Sequence, residues 1–198
     1  MTDKPAARTG YHHGDLPAAL TRAALELLDE QGLERVTVRE VARRAGVSPG
    51  APFRHFADRQ ALLTAVADVI ITDYEAWQLA QPLEEYGGPV RAFGLGFIRY
   101  AIRHPHRFTL MRTRVFGPAQ PDGLQHRLIG IERSFTEMLV EGQRLGELRE
   151  GDPEVMRLTA QAVVYGLSQM IVDGYLPPDQ ALAEQILDTF GLGIVNLP

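Results

Sequence analysis

Apolar residues recur at the spacing of an α-helix along almost the whole chain, which confines it to an all-α fold. Leu16, Leu20, Ala23 and Leu27 follow Asp15, whose carboxylate can accept from a free backbone N–H at a helix start, and Gly32 is placed to end that helix. Thr37 and Glu40 form a capping box before a short helix whose apolar face is Val38, Val41 and Ala42, and Gly46 stops it. Ser48 is placed to cap a third helix, with Pro49 at its first position and Phe53 and Phe56 turned back toward the first two helices. Asp58 opens a longer helix carrying Leu62, Val66, Val69, Ile70 and Trp77. Further helices are predicted over about 90–103, 105–115, 124–145, 153–173 and 179–194, separated by Gly- and Pro-bearing connectors. The expectation is a protein of about nine helices, with no convincing strand or repeat.

With 198 residues, 45% of them apolar, the chain can bury a real core. We divide it into an N-terminal part, residues 1–60, and a larger C-terminal part, residues 61–198. The absence of cysteine removes disulfides, thiolate zinc sites and thiol nucleophiles. No apolar stretch in the sequence reads as a signal peptide or membrane span, so a cytoplasmic, membrane-free protein is expected. The formal net charge is −5, but it is unevenly spread: residues 1–60 hold nine Lys and Arg against eight Asp and Glu, and residues 61–198 hold eleven against seventeen. From 35 to 59 six arginines face only Glu40 and Asp58. A basic patch on an acidic chain points to an anionic partner at one place.

Two short helices joined by a Gly-containing turn make a helix-turn-helix, whose second helix enters the DNA major groove. The stretch 36–56, VTVREVARRAGVSPGAPFRHF, has those parts: small Ala42 where the helices touch, Gly46 at the turn, Val47 toward the core and the arginines outward. The bland alternative is a helical hairpin with a solvated basic face. The longer run VREVARRAGVSPGAPFRHFADRQALLTAV, within residues 12–66, resembles the DNA-binding domain of the TetR family of transcriptional regulators, down to the aromatic-x-His-Phe element and the following ALL. That resemblance implies a homodimer that binds palindromic operator DNA and releases it when a small molecule enters the C-terminal domain, with no cofactor.

Transferred position by position, the resemblance makes Thr37, Ser48, His55 and Arg59 phosphate ligands, and brings Arg54, Pro49, Gly50 and Ala51 to base edges. Small side chains offer few hydrogen bonds there, leaving discrimination to methyl contacts, water and DNA shape. Arg43 and Arg44 are adjacent on a helix and cannot face the same way, so one is assigned to the DNA backbone and the other is a solvated charge. Arg8, Tyr11, His12 and His13 form either a polar arm reaching a neighbouring groove or a frayed terminus. Two positions depart from the family pattern. Phe53 stands where a tyrosine is usual, and Pro52 removes an N–H and biases Ala51 toward extended geometry.

In the C-terminal part Phe97, Tyr100, His104, Phe108, Met111, Phe135, Met138, Tyr165 and Met170, with Phe93 and Phe116, can line a pocket for a small apolar or amphiphilic effector or simply fill a core. YHHGDL near the N-terminus is similar to a TetR subgroup carrying a Trp and a His-Gly pair in the penultimate helix, but here Gln161 and Tyr165 replace the Trp and the His. The stripes Val163, Leu167, Ile171 and Ile186, Phe190, Ile194 are expected to hold a homodimer through the last two helices. His104 and His106 flank Pro105 as a helix-connecting turn rather than a metal site. The enzyme motifs Glu-x-x-His, His-Glu-x-x-His, G-x-S-x-G and a phosphate-binding Gly loop are all absent from the sequence. The resulting reading is a one-component transcriptional regulator, a repressor rather than an enzyme. The rivals are a helical ligand-binding protein without DNA binding and an unrecognised helical enzyme.

Overall fold

The computed structural model describes residues 15–115 and 122–191; Arg8, Tyr11, His12, His13, Phe116 and Ile194 lie outside the described residues. Helix α1 (Leu16–Gln31) starts where Asp15 accepts from the Ala18 N–H at 3.2 Å. It ends at Gly32, whose φ of 80° is open to glycine and strained for other residues. A 3₁₀ turn (Leu33–Arg35) leads to α2 (Val38–Arg44), then another (Pro52–Arg54) leads to α3 (Arg59–Leu79), capped by Asp58 on the Ala61 N–H at 2.8 Å. Then follow α4 (Pro89–Arg103), α5 (Pro105–Arg114), α6 (Asp122–Arg144), α7 (Pro153–Val172) and α8 (Gln180–Gly191). A proline stands in the first turn of α1, α4, α5 and α7, where its missing N–H costs nothing. His104 and His106 flank the corner between α4 and α5, where Pro105 forces His104 out of helical geometry.

Eight α-helices and no strand are formed among the described residues, close to the expected count. The difference lies at 48–55, where a bend and a 3₁₀ turn stand in place of a regular third helix. Of the seven residues from Ser48 to Arg54 two are prolines, which lack a backbone N–H, and one is glycine, a poor helix former, so a continuous α ladder is disfavoured.

One apolar cluster runs from α1 through α2 and along α3 to Tyr100 of α4, Leu110 and Met111 of α5 and Leu124 of α6. The N-terminal helices therefore share a core with the start of the C-terminal part. A second cluster packs α4 on α7 and α8 through Leu95, Ile98, Leu167, Ile171, Ala183 and Leu187. Leu167 and Ile171, expected to be spare surface for a partner, are thus internal, and Val163 and Ile186 lean on the same cluster. Helix α7 is long and apolar enough, by length and composition, to cross a membrane. Its apolarity serves two faces here, since the inner one packs on α4, α6 and α8 and the outer one carries Val155, Leu158 and Met170 in the open.

Charged clasps reinforce this packing. Arg107 of α5 donates to both carboxylate oxygens of Asp29 on α1 at 2.8 and 2.7 Å and to Asp73 on α3 at 2.9 Å. Arg127 of α6 joins Asp68, Thr72 and Glu75 along α3. Because Arg107 is mostly buried while its acceptors are half exposed, Arg107→Ala is expected to cost about 2 kcal/mol, between exposed and buried ion pairs. Urea unfolding monitored by circular dichroism measures that loss.

Candidate nucleic-acid interface and internal cavity

The end of the molecule formed by α2 and the turn after it gathers most of the residues that the sequence nominated for DNA. Thr37 is exposed and its Oγ accepts from the Glu40 N–H at 3.2 Å, which leaves the hydroxyl hydrogen for an outside acceptor. The reciprocal half of the capping box does not form, because the Glu40 carboxylate turns to Arg43, receiving Nε at 3.0 Å and Nη2 at 2.5 Å. The hydrogen bond from Arg43 holds the Glu40 carboxyl below its ordinary pKa. Arg43 itself is 72% exposed. After α2, Gly46 at φ 69° lets its own N–H bond Arg43 O at 3.2 Å and the Val47 N–H bond Ala42 O at 3.0 Å, a Schellman ending that tucks Val47 against the core.

The adjacent arginines divide as helix geometry requires. Arg44 reaches back to α1, donating to Glu26 at 2.9 Å and to both oxygens of Glu30 at 2.7 and 2.5 Å. It is therefore a tie between α1 and α2, and Arg43 is the one left facing outward. Arg59 is also turned inward: its Nε donates to Val36 O at 2.6 Å and its Nη2 to Leu33 O at 2.7 Å. Those two carbonyls belong to the 3₁₀ connection between α1 and α2, so Arg59 braces the entry to α2 from the start of α3. A sequence pattern cannot separate a bracing arginine from a phosphate ligand, because both roles ask for a guanidinium near the same backbone.

In the following turn Ser48, Pro49 and Gly50 are exposed and Ala51 is half-buried. Ala51 keeps helical dihedrals of −61° and −41° in spite of Pro52, contrary to the extended geometry expected of it. Ser48 does not cap a helix: its backbone carbonyl accepts from the Ala51 N–H at 3.0 Å in a turn, and the 3₁₀ turn that follows starts from Ala51. Pro52 is buried, and Phe53 is 58% exposed rather than packed in the core. The ring that anchors this segment is Phe56, and Phe53 projects beside exposed Arg54 and His55. Arg39, exposed on α2, shares a shallow groove with Thr37, Arg43 and Pro49. The sequence turned Phe53 inward and counted Arg39 in the basic patch without assigning it to DNA.

Away from this face, a cavity of about 1040 Å³ opens between α4, α6, α7 and α8. Of the nine nominated effector residues, Phe97, Met111, Phe135, Met138 and Tyr165 line it. Phe108 sits behind the wall, edge-on to Phe97 at 5.8 Å. Tyr100 belongs to the first core cluster, edge-on to Tyr74 at 5.2 Å, and burial pushes its hydroxyl up to about 12. His104 lies at the corner, 4.9 Å from the Tyr100 ring, and burial lowers its imidazole pKa. Met170 is on the outer face of α7, 45% exposed. These four do not reach the cavity, since the helical period is too coarse to say which side of a buried layer a ring joins.

The wall also holds Phe93, which the sequence grouped with the pocket candidates, and Arg157, which it did not single out. Phe93 stacks on Phe135 with centroids 4.7 Å apart and planes at 11°. Arg157, 7% exposed, donates to Glu154 at 3.0 and 2.5 Å and to Gln161 at 2.7 Å. Its only signal in the sequence was a charge set between Met156 and Ala160 on an inward stripe. Gln161 and Tyr165, the positions that break the subgroup pattern, both line the cavity. No cluster of three potential metal ligands occurs among the described residues.

A helix-turn-helix at one end and a ligand-sized cavity at the other define a two-part, all-α regulator. Residues 20–66 match the family described as bacterial regulatory proteins, tetR family, and residues 90–190 match the tetracyclin repressor-like C-terminal domain. The chain belongs to the TetR family of DNA-binding transcriptional regulators. Over 88 residues it is 31% identical to the tetracycline repressor protein class A from transposon 1721 of Escherichia coli, covering 42% of this chain and 41% of that one. Its match to the Escherichia coli class C repressor is 44% over 54 residues, 27% of this chain and 25% of the relative. The chain thus spans well under half the length of these relatives. Among solved structures, a protein of unknown function from Rhodococcus sp. RHA1 superposes with a TM-score of 0.80 at 27% identity, over 96% of this chain and all of the other. SmeT, the repressor of the Stenotrophomonas maltophilia multidrug efflux pump SmeDEF, shares the fold at a TM-score of 0.65 and 19% identity, over 91% and 90% of the two chains.

The inward bonds of Arg59 change what its removal should do. Arg59→Ala is expected to lower stability by about 2 kcal/mol through two charge-assisted bonds to backbone carbonyls. His55→Ala should leave stability within about 0.5 kcal/mol, as an exposed substitution does. Thermal melts of the two variants side by side distinguish a brace from a surface ligand.

Proposed function

We propose that this protein is a one-component repressor which binds an inverted-repeat operator as a homodimer and leaves it when a small apolar or amphiphilic molecule fills the cavity. The observation that carries the reading is the pairing of the two sites through shared helices. The core that supports α2 extends along α3 to Met111, and Met111 is also part of the cavity wall. Arg107 on α5 is tied to α1 as well as α3, so a ligand that shifts α5 also loads the helix on which α2 rests.

On DNA, Thr37, Ser48, Arg43 and His55 would contact phosphates, and Pro49, Gly50, Ala51, Phe53 and Arg54 would meet the groove. The first set supplies hydroxyls and charge for register, and the second supplies mostly apolar contact with thymine methyls and the sugar edge. Arg39 is well placed to join the phosphate set. Residues 1–60 would thus carry DNA binding and residues 61–198 effector binding and dimerisation, in the cytoplasm, with no membrane partner.

The dimer seam we propose is the outer face of α7, in place of the inward stripe that the sequence suggested. Val155, Leu158, Ala162, Gly166 and Met170 follow the helical period along that face. A Cβ added at Gly166 would meet nothing within 4 Å in this subunit, so the small residues leave room for a partner helix to approach closely. Ala181, Gln185 and Thr189 of α8 are exposed along its length and extend the patch. An obligate interface of this kind buries upward of about 2,000 Å², and a two-fold axis would set the reading segments about 34 Å apart in successive major grooves.

A gel-shift titration on the DNA upstream of its own gene, repeated across salt, tests the reading as a whole. Specific retardation is expected, and binding no tighter than to random DNA rejects it. Arg43→Ala should weaken operator and random DNA alike and flatten the salt slope by about one unit. A change of preference at a single base pair would instead put Arg43 in the groove. Gly166→Arg should give a monomer in analytical ultracentrifugation with helicity unchanged and with operator binding lost, while a persistent dimer would move the seam elsewhere.

A further inference from the structure

We infer that the effector is a hydrophobic cation, an aromatic or branched apolar body bearing a protonated amine or onium centre, with Glu132 as its counter-ion. This rests on the cavity being the effector site and specifies which chemistry that site accepts.

The charge on the wall has one sign in excess. Two arginines, Arg91 and Arg157, face the carboxylates of Glu132, Glu137, Glu141, Glu147 and Asp188. Both arginines are already committed: Arg91 to Asp188 at 2.7 Å and to the Tyr86 carbonyl, Arg157 to Glu154 and Gln161. Arg133 and Arg144 pair with Glu137 and Glu141 from outside the wall, on the exposed side of α6. Counting these two and Glu154, four guanidinium groups stand against six carboxylates. Arg112, the other cation near Tyr165, is exposed and outside the wall. An incoming carboxylate or phosphate would meet no free cation here and a surplus of like charge.

Glu132 stands out among these acids because of where it sits on its helix. It lies on the inward stripe of α6, next to Ile131 and one turn before Phe135, both of which line the cavity. Its side chain is 33% exposed, and its one ion-pair contact among the described residues is a long one of 3.5 Å to Arg157. Arg157 forms its short bonds with Glu154 instead, at 3.0 and 2.5 Å, so Glu132 retains most of its capacity to accept. The remaining wall is apolar, part aliphatic and part aromatic, with the Phe93 and Phe135 stack close by. Ring faces carry the negative part of the aromatic quadrupole and attract cations, more strongly where water is excluded. A cation with an apolar body gains from the rings, the carboxylate and burial together, whereas an anion of the same shape gains only from burial.

The test uses three probes of similar shape and different charge on the full chain, by isothermal titration calorimetry: tetraphenylphosphonium, neutral triphenylphosphine oxide and tetraphenylborate. The cation is expected to bind at least about tenfold tighter than the neutral probe, and the anion more weakly than either. Glu132→Gln should remove about tenfold from the cation and leave the neutral probe unchanged. The variant should fold, because Arg157 keeps Glu154 and Gln161, and a thermal melt checks this. The wild-type series decides the matter even where the variant does not fold. If the neutral or anionic probe binds as tightly as the cation, the cavity reading stands and the charge inference fails. An unchanged cation affinity in folded Glu132→Gln rejects Glu132 as counter-ion. If no probe binds, the cavity reading fails and this inference with it.

Discussion

Helix α3 is the member on which the rest of the molecule depends, because it is buried along most of its length by two different sets of neighbours. Leu62, Leu63, Val66 and Ala67 close the core under α1 and α2, and Ile70, Ile71 and Tyr74 continue the same apolar row toward α4 and α5. A helix whose buried row meets two sets of neighbours cannot tilt for one without loading the other, since close-packed interiors transmit strain instead of absorbing it. At its N-terminus Arg59 braces the connection into α2, and toward its C-terminus Trp77 donates its indole N–H to Gly96 O of α4 at 2.8 Å. The helix-turn-helix and the cavity-forming elements are in this way attached along one helix.

The clasp of Arg107 adds a second route between the same regions. It joins α5 to α1 and α3 through carboxylates that are only partly desolvated, so its strength comes from bidentate geometry on Asp29 more than from deep burial. The helix it holds also contributes Met111 to the cavity wall. Packing and polar ties therefore lead from the cavity to the helix-turn-helix without a separate linker.

The cavity exists because several large side chains surround a space that they do not fill. Gly94 contributes to this, as its missing side chain leaves Val164 and Leu187 at ordinary van der Waals distance from where a Cβ would be. Phe93 and Phe135 stack with each other, and Phe97 leans on Phe108, so aromatic surface is spent on walls and not on the centre. One buried arginine and the acids around it give those apolar walls a polar margin.

Caps, periods and breakers in the sequence were enough to mark the helices except at 48–55, because these are interactions among residues within a few positions of one another. Asp15, Thr37 and Asp58 accept from the backbone N–H groups three residues on, and Gly32 and Gly46 take the positive φ that ends their helices. The motif from Thr37 to His55 was legible for the same reason. The direction in which each side chain faces was not, since that is settled by contacts with residues far along the chain. Arg44 and Arg59 became ties because Glu26, Glu30 and two carbonyls of the first connection lay within reach. Phe53 was pushed outward once Pro52 and Phe56 had taken the space beneath. Leu167 and Ile171 turned inward because α4 and α8 cover that side of α7, which left Val155, Leu158 and Met170 outside. Outside 48–55, local chemistry in the sequence determined where the helices begin, end and turn, whereas which face of each helix is buried, bridged or open was decided only by how the helices pack.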